Sequence, residues 1–87
     1  MNGSLVYTAT NLTSTDGTVS IGHHTSCLYV WNKNNTTSAI IELNGKYQIV
    51  IPHSPNTGSH VYHTIPGDYT SIKVVTTAVD FSVYAIG

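Results

Sequence analysis

Val79, Phe81, Val83 and Ala85 alternate with Asp80, Ser82 and Tyr84 near the end of the chain. This period of two puts the apolar set on one side of a β-strand and the rest on the other. The same alternation recurs in shorter runs from the N-terminus onward. Turn signals interrupt it at Asp16-Gly17, Asn32 to Asn35, Asn44-Gly45, Pro52 to Gly58 and Pro66-Gly67-Asp68. Between them the pattern predicts strands near 4–10, 18–23, 26–32, 37–43, 46–51, 59–65, 69–76 and 79–86. No segment carries a helical period, and the strand formers Val, Ile, Thr and Tyr dominate. Asn44-Gly45 is the strongest hairpin signal, since both residue types accept the positive φ of a tight turn. Several short strands at this spacing predict an all-β fold, an antiparallel two-sheet β-sandwich or small jelly roll of about eight strands. The chain stops just past its best strand, as expected of a minimal module occupying residues 1–87.

The alternation also assigns faces. Leu5, Tyr7, Val19, Ile21, Leu28, Val30, Ala39, Ile41, Leu43, Tyr47, Ile49, Ile51, Val61, Ile72, Val74, Phe81 and Val83 are expected to fill the interior. The run Cys27-Leu28-Tyr29-Val30-Trp31 is apolar on both faces. Its outer pair, Tyr29 and Trp31, therefore needs a cover: a loop, a neighbouring subunit or a ligand.

Composition narrows the function classes. Charged residues make up 8% of the chain and the net charge is −1, whereas an average soluble protein carries about 25% charged residues. There is no Arg, and Lys33, Lys46 and Lys73 are scattered. Nucleic-acid binding needs clustered cations to displace counterions, and an anionic membrane surface makes the same demand. Neither partner is expected. Cys27 is the only cysteine, so no internal disulfide supports the small core. Association with copies of itself or with a larger body is the expected aid. Residues 1–20 lack the basic start and apolar run of a signal peptide. Synthesis in a cytoplasm is expected, and the sequons at Asn11, Asn34 and Asn35 read as chance in a chain rich in Asn and Thr.

No catalytic constellation emerges. Cys27 lies in an apolar strand, where a thiol is expected to be inert core. Asp16 and Asp68 sit in turns, where Asp is common for conformational reasons. No Ser lies in a nucleophile elbow and no Gly run forms a phosphate loop. His60 and His63 have a spacing that diverges on a strand, as do the neighbours His23 and His24. Surface or loop histidines are expected in preference to a zinc site, no cofactor is implied, and the chain is not expected to be an enzyme. Trp31 and Tyr29, with Asn32, Asn34 and Asn35 beside them, would also suit a sugar-stacking platform; an aromatic protein contact beside an Asn-rich turn is the expected alternative.

The order of features is informative beyond its parts. A polar opening strand precedes Leu28-Tyr29-Val30-Trp31-Asn32, then Ala39-Ile40-Ile41-Glu42-Leu43-Asn44-Gly45. Ile49-Val50-Ile51-Pro52, Tyr69-Thr70-Ser71-Ile72-Lys73-Val74-Val75 and Phe81-Ser82-Val83-Tyr84-Ala85 follow. This pattern resembles the small all-β accessory proteins of tailed bacteriophage virions, such as capsid decoration (cement) proteins and tail-accessory modules. The resemblance implies a non-enzymatic virion protein made in the host cytoplasm. It implies a homo-oligomer, a trimer above all, that bridges major capsid protein or other virion subunits. Exposure logic then makes Tyr29, Trp31, His53, Asn56 and Tyr84 the expected contact residues. A carbohydrate- or receptor-binding module of a tail fibre is the alternative, and an enzyme accessory domain a third reading.

Overall fold

The computed structural model describes residues 3–55 and 60–87. Its strands are β1 (Leu5–Leu12), β2 (Val19–Ser20), β3 (Cys27–Asn32), β4 (Ala39–Leu43), β5 (Tyr47–Ile51), β6 (His63–Pro66), β7 (Ser71–Val74) and β8 (Phe81–Ile86). A single 3₁₀ turn, Ser14–Asp16, interrupts them among the described residues. Two four-stranded antiparallel sheets result, ordered β1-β8-β3-β6 (sheet A) and β2-β7-β4-β5 (sheet B). Only the β4–β5 hairpin keeps consecutive strands as hydrogen-bonded neighbours. This is the strand order of a jelly roll, which buries the chain's closing strand between β1 and β3.

The inner faces share one core. Leu28, Val30, Phe81, Val83 and Ala85 of sheet A meet Ile41, Leu43, Ile72 and Val74 of sheet B, and all are fully buried. Leu12, Ile65 and Val79 join them. The alternation of β3 and β4 is thus read correctly from sequence, because each is an interior strand with a partner on both sides.

Three expected core residues are placed elsewhere. Leu5 is 56% exposed, because β1 carries a register irregularity between Leu5 and Tyr7. An extra residue in one strand of an antiparallel pair reverses the facing of everything beyond it. Leu5 therefore lies opposite the outward Ile86, while Tyr7 lies opposite the inward Ala85. Tyr47 is 51% exposed although it pairs with the buried Leu43. It stands at the end of an edge strand and lies under the Lys46 ammonium, 5.0 Å from its ring centroid. Val61 precedes β6 and is only half-buried.

Several element limits also differ. The predicted 18–23 strand contracts to Val19–Ser20, and 59–65 becomes His63–Pro66. Asn44 and Gly45 do adopt positive φ, 57° and 74°. Pairing nevertheless begins at Leu43 and Tyr47, which leaves Lys46 as an extra loop residue whose amide donates to Leu43 O at 3.2 Å.

Candidate functional site

The outer face of sheet A is the most distinctive surface. Period-two geometry turns Cys27, Tyr29 and Trp31 of β3 and Ser82, Tyr84 and Ile86 of β8 away from the core. Tyr29 lies directly opposite Tyr84, and Trp31 opposite Ser82. The segment leading into β6 then crosses this face. Its His60 ring centroid lies 4.4 Å from that of Trp31, and Tyr62 lies 5.7 Å from Trp31 and 5.4 Å from Tyr84. Tyr62 and Tyr84 are stacked with an interplanar angle of 30°. Tyr29, Trp31 and Tyr62 are half-buried, whereas Tyr84 is 38% exposed.

Hydrogen bonds fix the ring positions. The Trp31 indole donates to Ser54 Oγ at 2.8 Å, and Ser54 Oγ donates to Asn32 O at 2.7 Å. The Ser54 amide donates to Asn34 O at 2.9 Å, so the chain leaving β5 is fastened over the end of β3. Lys33 stands 5.6 Å above the Trp31 ring, and its ammonium donates to Thr10 O and Asn11 Oδ1. Burial and a hydrogen bond with Tyr84 push the Tyr62 phenol above its ordinary pKa, with Ser82 pulling weakly the other way. A hydrogen bond with the Cys27 thiol, with a smaller charge contribution from the same group, raises Tyr29.

Of the expected contact residues, Tyr29, Trp31 and Tyr84 thus share one face. His53 is exposed at its margin, next to Ser54, with Nδ1 3.0 Å from Ser54 O. Asn56 lies outside the described residues. His60 and Tyr62 complete the cluster. The sequence pattern makes His60 a surface or loop histidine in preference to a metal ligand and does not single out Tyr62, although an aromatic beside His63 in a predicted strand is a usable signal. The cover expected over Trp31 is supplied in part by this same chain.

The neighbouring polar residues have structural duties. Asn32 is buried, with Nδ2 donating to Thr37 O at 3.0 Å and Ile51 O at 3.2 Å, while Oδ1 accepts from Asn34 N at 3.0 Å. Asn34 Oδ1 accepts from the amides of Thr36 and Thr37, each at 2.8 Å. The Asn run is a locked turn, and Asn32 is withdrawn from any outer surface. Cys27 is half-buried on the outer face, not in the core, because β3 begins there with an outward residue. Asp68 does more than form a turn: it accepts from Thr25 N at 3.1 Å and pairs with His24 at 2.8 Å, both groups being exposed. Among the described residues no three His, Cys, Asp or Glu side chains converge as metal ligands.

What fold and site together define is a small antiparallel jelly-roll module with an aromatic patch on the outer face of one sheet. No family model, curated protein or solved structure matches this chain.

Proposed function

We propose that this chain is a non-enzymatic assembly module that docks to a larger protein body through the outer face of sheet A. The observation that carries this reading is the fixed cluster Trp31–Tyr62–Tyr84 on the outer face of sheet A, with the Lys33 ammonium over the Trp31 ring. Aromatic residues held in place lose little conformational freedom on contact and anchor protein interfaces. With charged residues only 8% of the chain, few charges need desolvating on contact. The setting we propose, from the resemblance to phage accessory proteins, is a virion, with the module decorating the shell and bridging its subunits as an oligomer. Jelly rolls serve both capsid and lectin domains, so the fold is compatible with this reading without selecting it.

Ring geometry disfavours the sugar-binding alternative. A sugar platform needs ring faces open to solvent, but Tyr62 and Tyr84 stack on one another and Trp31 carries His60 and Lys33 around its ring. Asn32, a residue that would have supplied polar contacts, is buried.

The test is sedimentation of native source lysate through a density gradient, with the chain followed by mass spectrometry. Co-migration with megadalton particles, lost on Trp31→Ala or Tyr84→Ala, is the expected result. Tyr84→Ala is the cleaner variant, because the indole also holds Ser54. A chain that stays at the top of the gradient removes the proposal, and glycan binding dependent on Trp31 and Tyr84 would replace it.

A further inference from the structure

Sheet B ends in β5, which pairs only with β4 among the described strands. The hydrogen bonds of β4 fix which way the backbone groups of β5 point. Ile40 O accepts from Val75 N at 2.8 Å, and Ile40 N donates to Thr76 Oγ1 at 2.8 Å. Asn44 N donates to Ser71 O on the same side at 3.1 Å. Successive residues of a strand aim their N–H and C=O groups to opposite sides. Ala39, Ile41 and Leu43 therefore bond toward β5, and their partners Ile51, Ile49 and Tyr47 bond back. Gln48 and Val50 consequently aim their amides and carbonyls away from the sheet.

We propose that β5 is a homodimerisation edge, pairing antiparallel with β5 of a second copy about a twofold axis at Ile49. In that register Gln48 faces Val50 of the other copy, and every outward N–H and C=O of Gln48 and Val50 is used. Ile49 meets its own counterpart on the inner face. The edge is thus its own complement, which is the requirement for an isologous contact.

Proteins ordinarily blunt exposed edges with short strands, bulges, Pro or charge. The other edges here follow that rule. β2 has only two residues, β1 has register irregularities at both ends, and β6 is four residues long and ends in Pro66. By contrast, β5 runs five residues, Tyr47–Ile51, in unbroken register with β4. It holds no charge, Pro or Gly. Val50 and Tyr47 are 62% and 51% exposed. Because the remaining edges are blunted, pairing closes at two copies and does not propagate. The symmetry is twofold, unlike the threefold cluster that the phage resemblance implies.

The experiment is sedimentation velocity on the full chain across a concentration series, alongside Val50→Lys. The expected wild-type mass is twice the 9.4 kDa of the chain. Val50→Lys should shift the species to monomer with at least a tenfold weaker association and an unchanged circular dichroism spectrum, since Val50 is exposed. Register is tested by crosslinking in a Cys27→Ser background. Two Ile49→Cys residues would face each other as a non-hydrogen-bonded pair, with Cα atoms about 4.5 Å apart, inside the disulfide range of about 4.4–6.8 Å. Gln48→Cys, offset from its counterpart, should not bridge. A monomer at every concentration overturns the proposal, as does a dimer that Val50→Lys leaves intact or that Gln48→Cys bridges as readily as Ile49→Cys. So does a monomer whose β5 amides gain exchange protection only when a different protein is added. Since β5 lies in the sheet opposite the aromatic face, none of these results decides the docking reading.

Discussion

Asn32 illustrates how one side chain can hold several loops. It occupies an inward position of β3, where alternation alone expects an apolar residue, and it is 1% exposed. Its amide satisfies two carbonyls and its oxygen one amide, so the polar group is buried without an orphan. Asn32→Ala removes all three bonds and leaves their partners to find replacements. Each stranded buried group costs about 1–3 kcal/mol, so denaturant unfolding should show a loss of about 3 kcal/mol. A loss below about 1 kcal/mol would mean that water enters and replaces the amide. Ala78 is the opposite case. It holds φ at 64°, a conformation that penalises any Cβ. The left-handed penalty is about 1–2 kcal/mol, against about 0.5–1 kcal/mol for the extra freedom of an unfolded glycine. Ala78→Gly should therefore raise stability by up to about 1 kcal/mol in the same assay. A destabilised variant would show that the Ala78 methyl makes contacts worth more than the strain.

Elements were more legible than their exact facing. Each predicted strand overlaps an observed one, although 18–23 contracts to Val19–Ser20 and 59–65 to His63–Pro66, because most runs of Val, Ile, Leu and Tyr are bounded by Asn, Asp, Gly or Pro. Phe81 and Val83 were readable as core because β8 is interior to its sheet and its period is unbroken. Leu5 was not, because a bulge is a local departure from the period that defines facing, and nothing in Leu5-Val6-Tyr7 marks it. The two positions give a direct test. Phe81→Ala should cost about 3–5 kcal/mol, as expected for a fully buried aromatic. Leu5→Ser should stay within about 0.5 kcal/mol, the range of exposed surface positions. A cost for Leu5→Ser above about 2 kcal/mol would mean that β1 pairs without the bulge and turns Leu5 inward. The aromatic site was half legible for a related reason. Tyr29, Trp31 and Tyr84 follow from strand parity, but Tyr62 and His60 reach them through an irregular approach to β6 that parity does not describe.

At the scale of the whole molecule, the two sheets differ in what they offer. Sheet B places Glu42 opposite both Gln48 and Lys73 on its outer face, an ordinary solvated surface apart from its β5 edge. Sheet A turns stacked phenols outward, and their ionisation gives a handle on the whole patch. Burial, and then the hydrogen bond to Tyr84, favour the neutral form of Tyr62 in the folded protein. The folded chain therefore holds that proton more tightly than the unfolded chain, whose phenols titrate at about pH 10. The resulting stability is fully present below that pH and is lost as the pH rises through the raised folded value. Two observations should follow. Tyrosinate absorbance should lose one late-ionising phenol in Tyr62→Phe, leaving those of Tyr7 and Tyr29, and the melting temperature should fall across that alkaline interval less steeply in the variant. The same ionisation would place negative charge inside the patch, so attachment through sheet A should weaken there while the module remains folded. A Tyr62→Phe variant that melts along the same alkaline curve as the wild type would show that the fold does not hold Tyr62 in its neutral form.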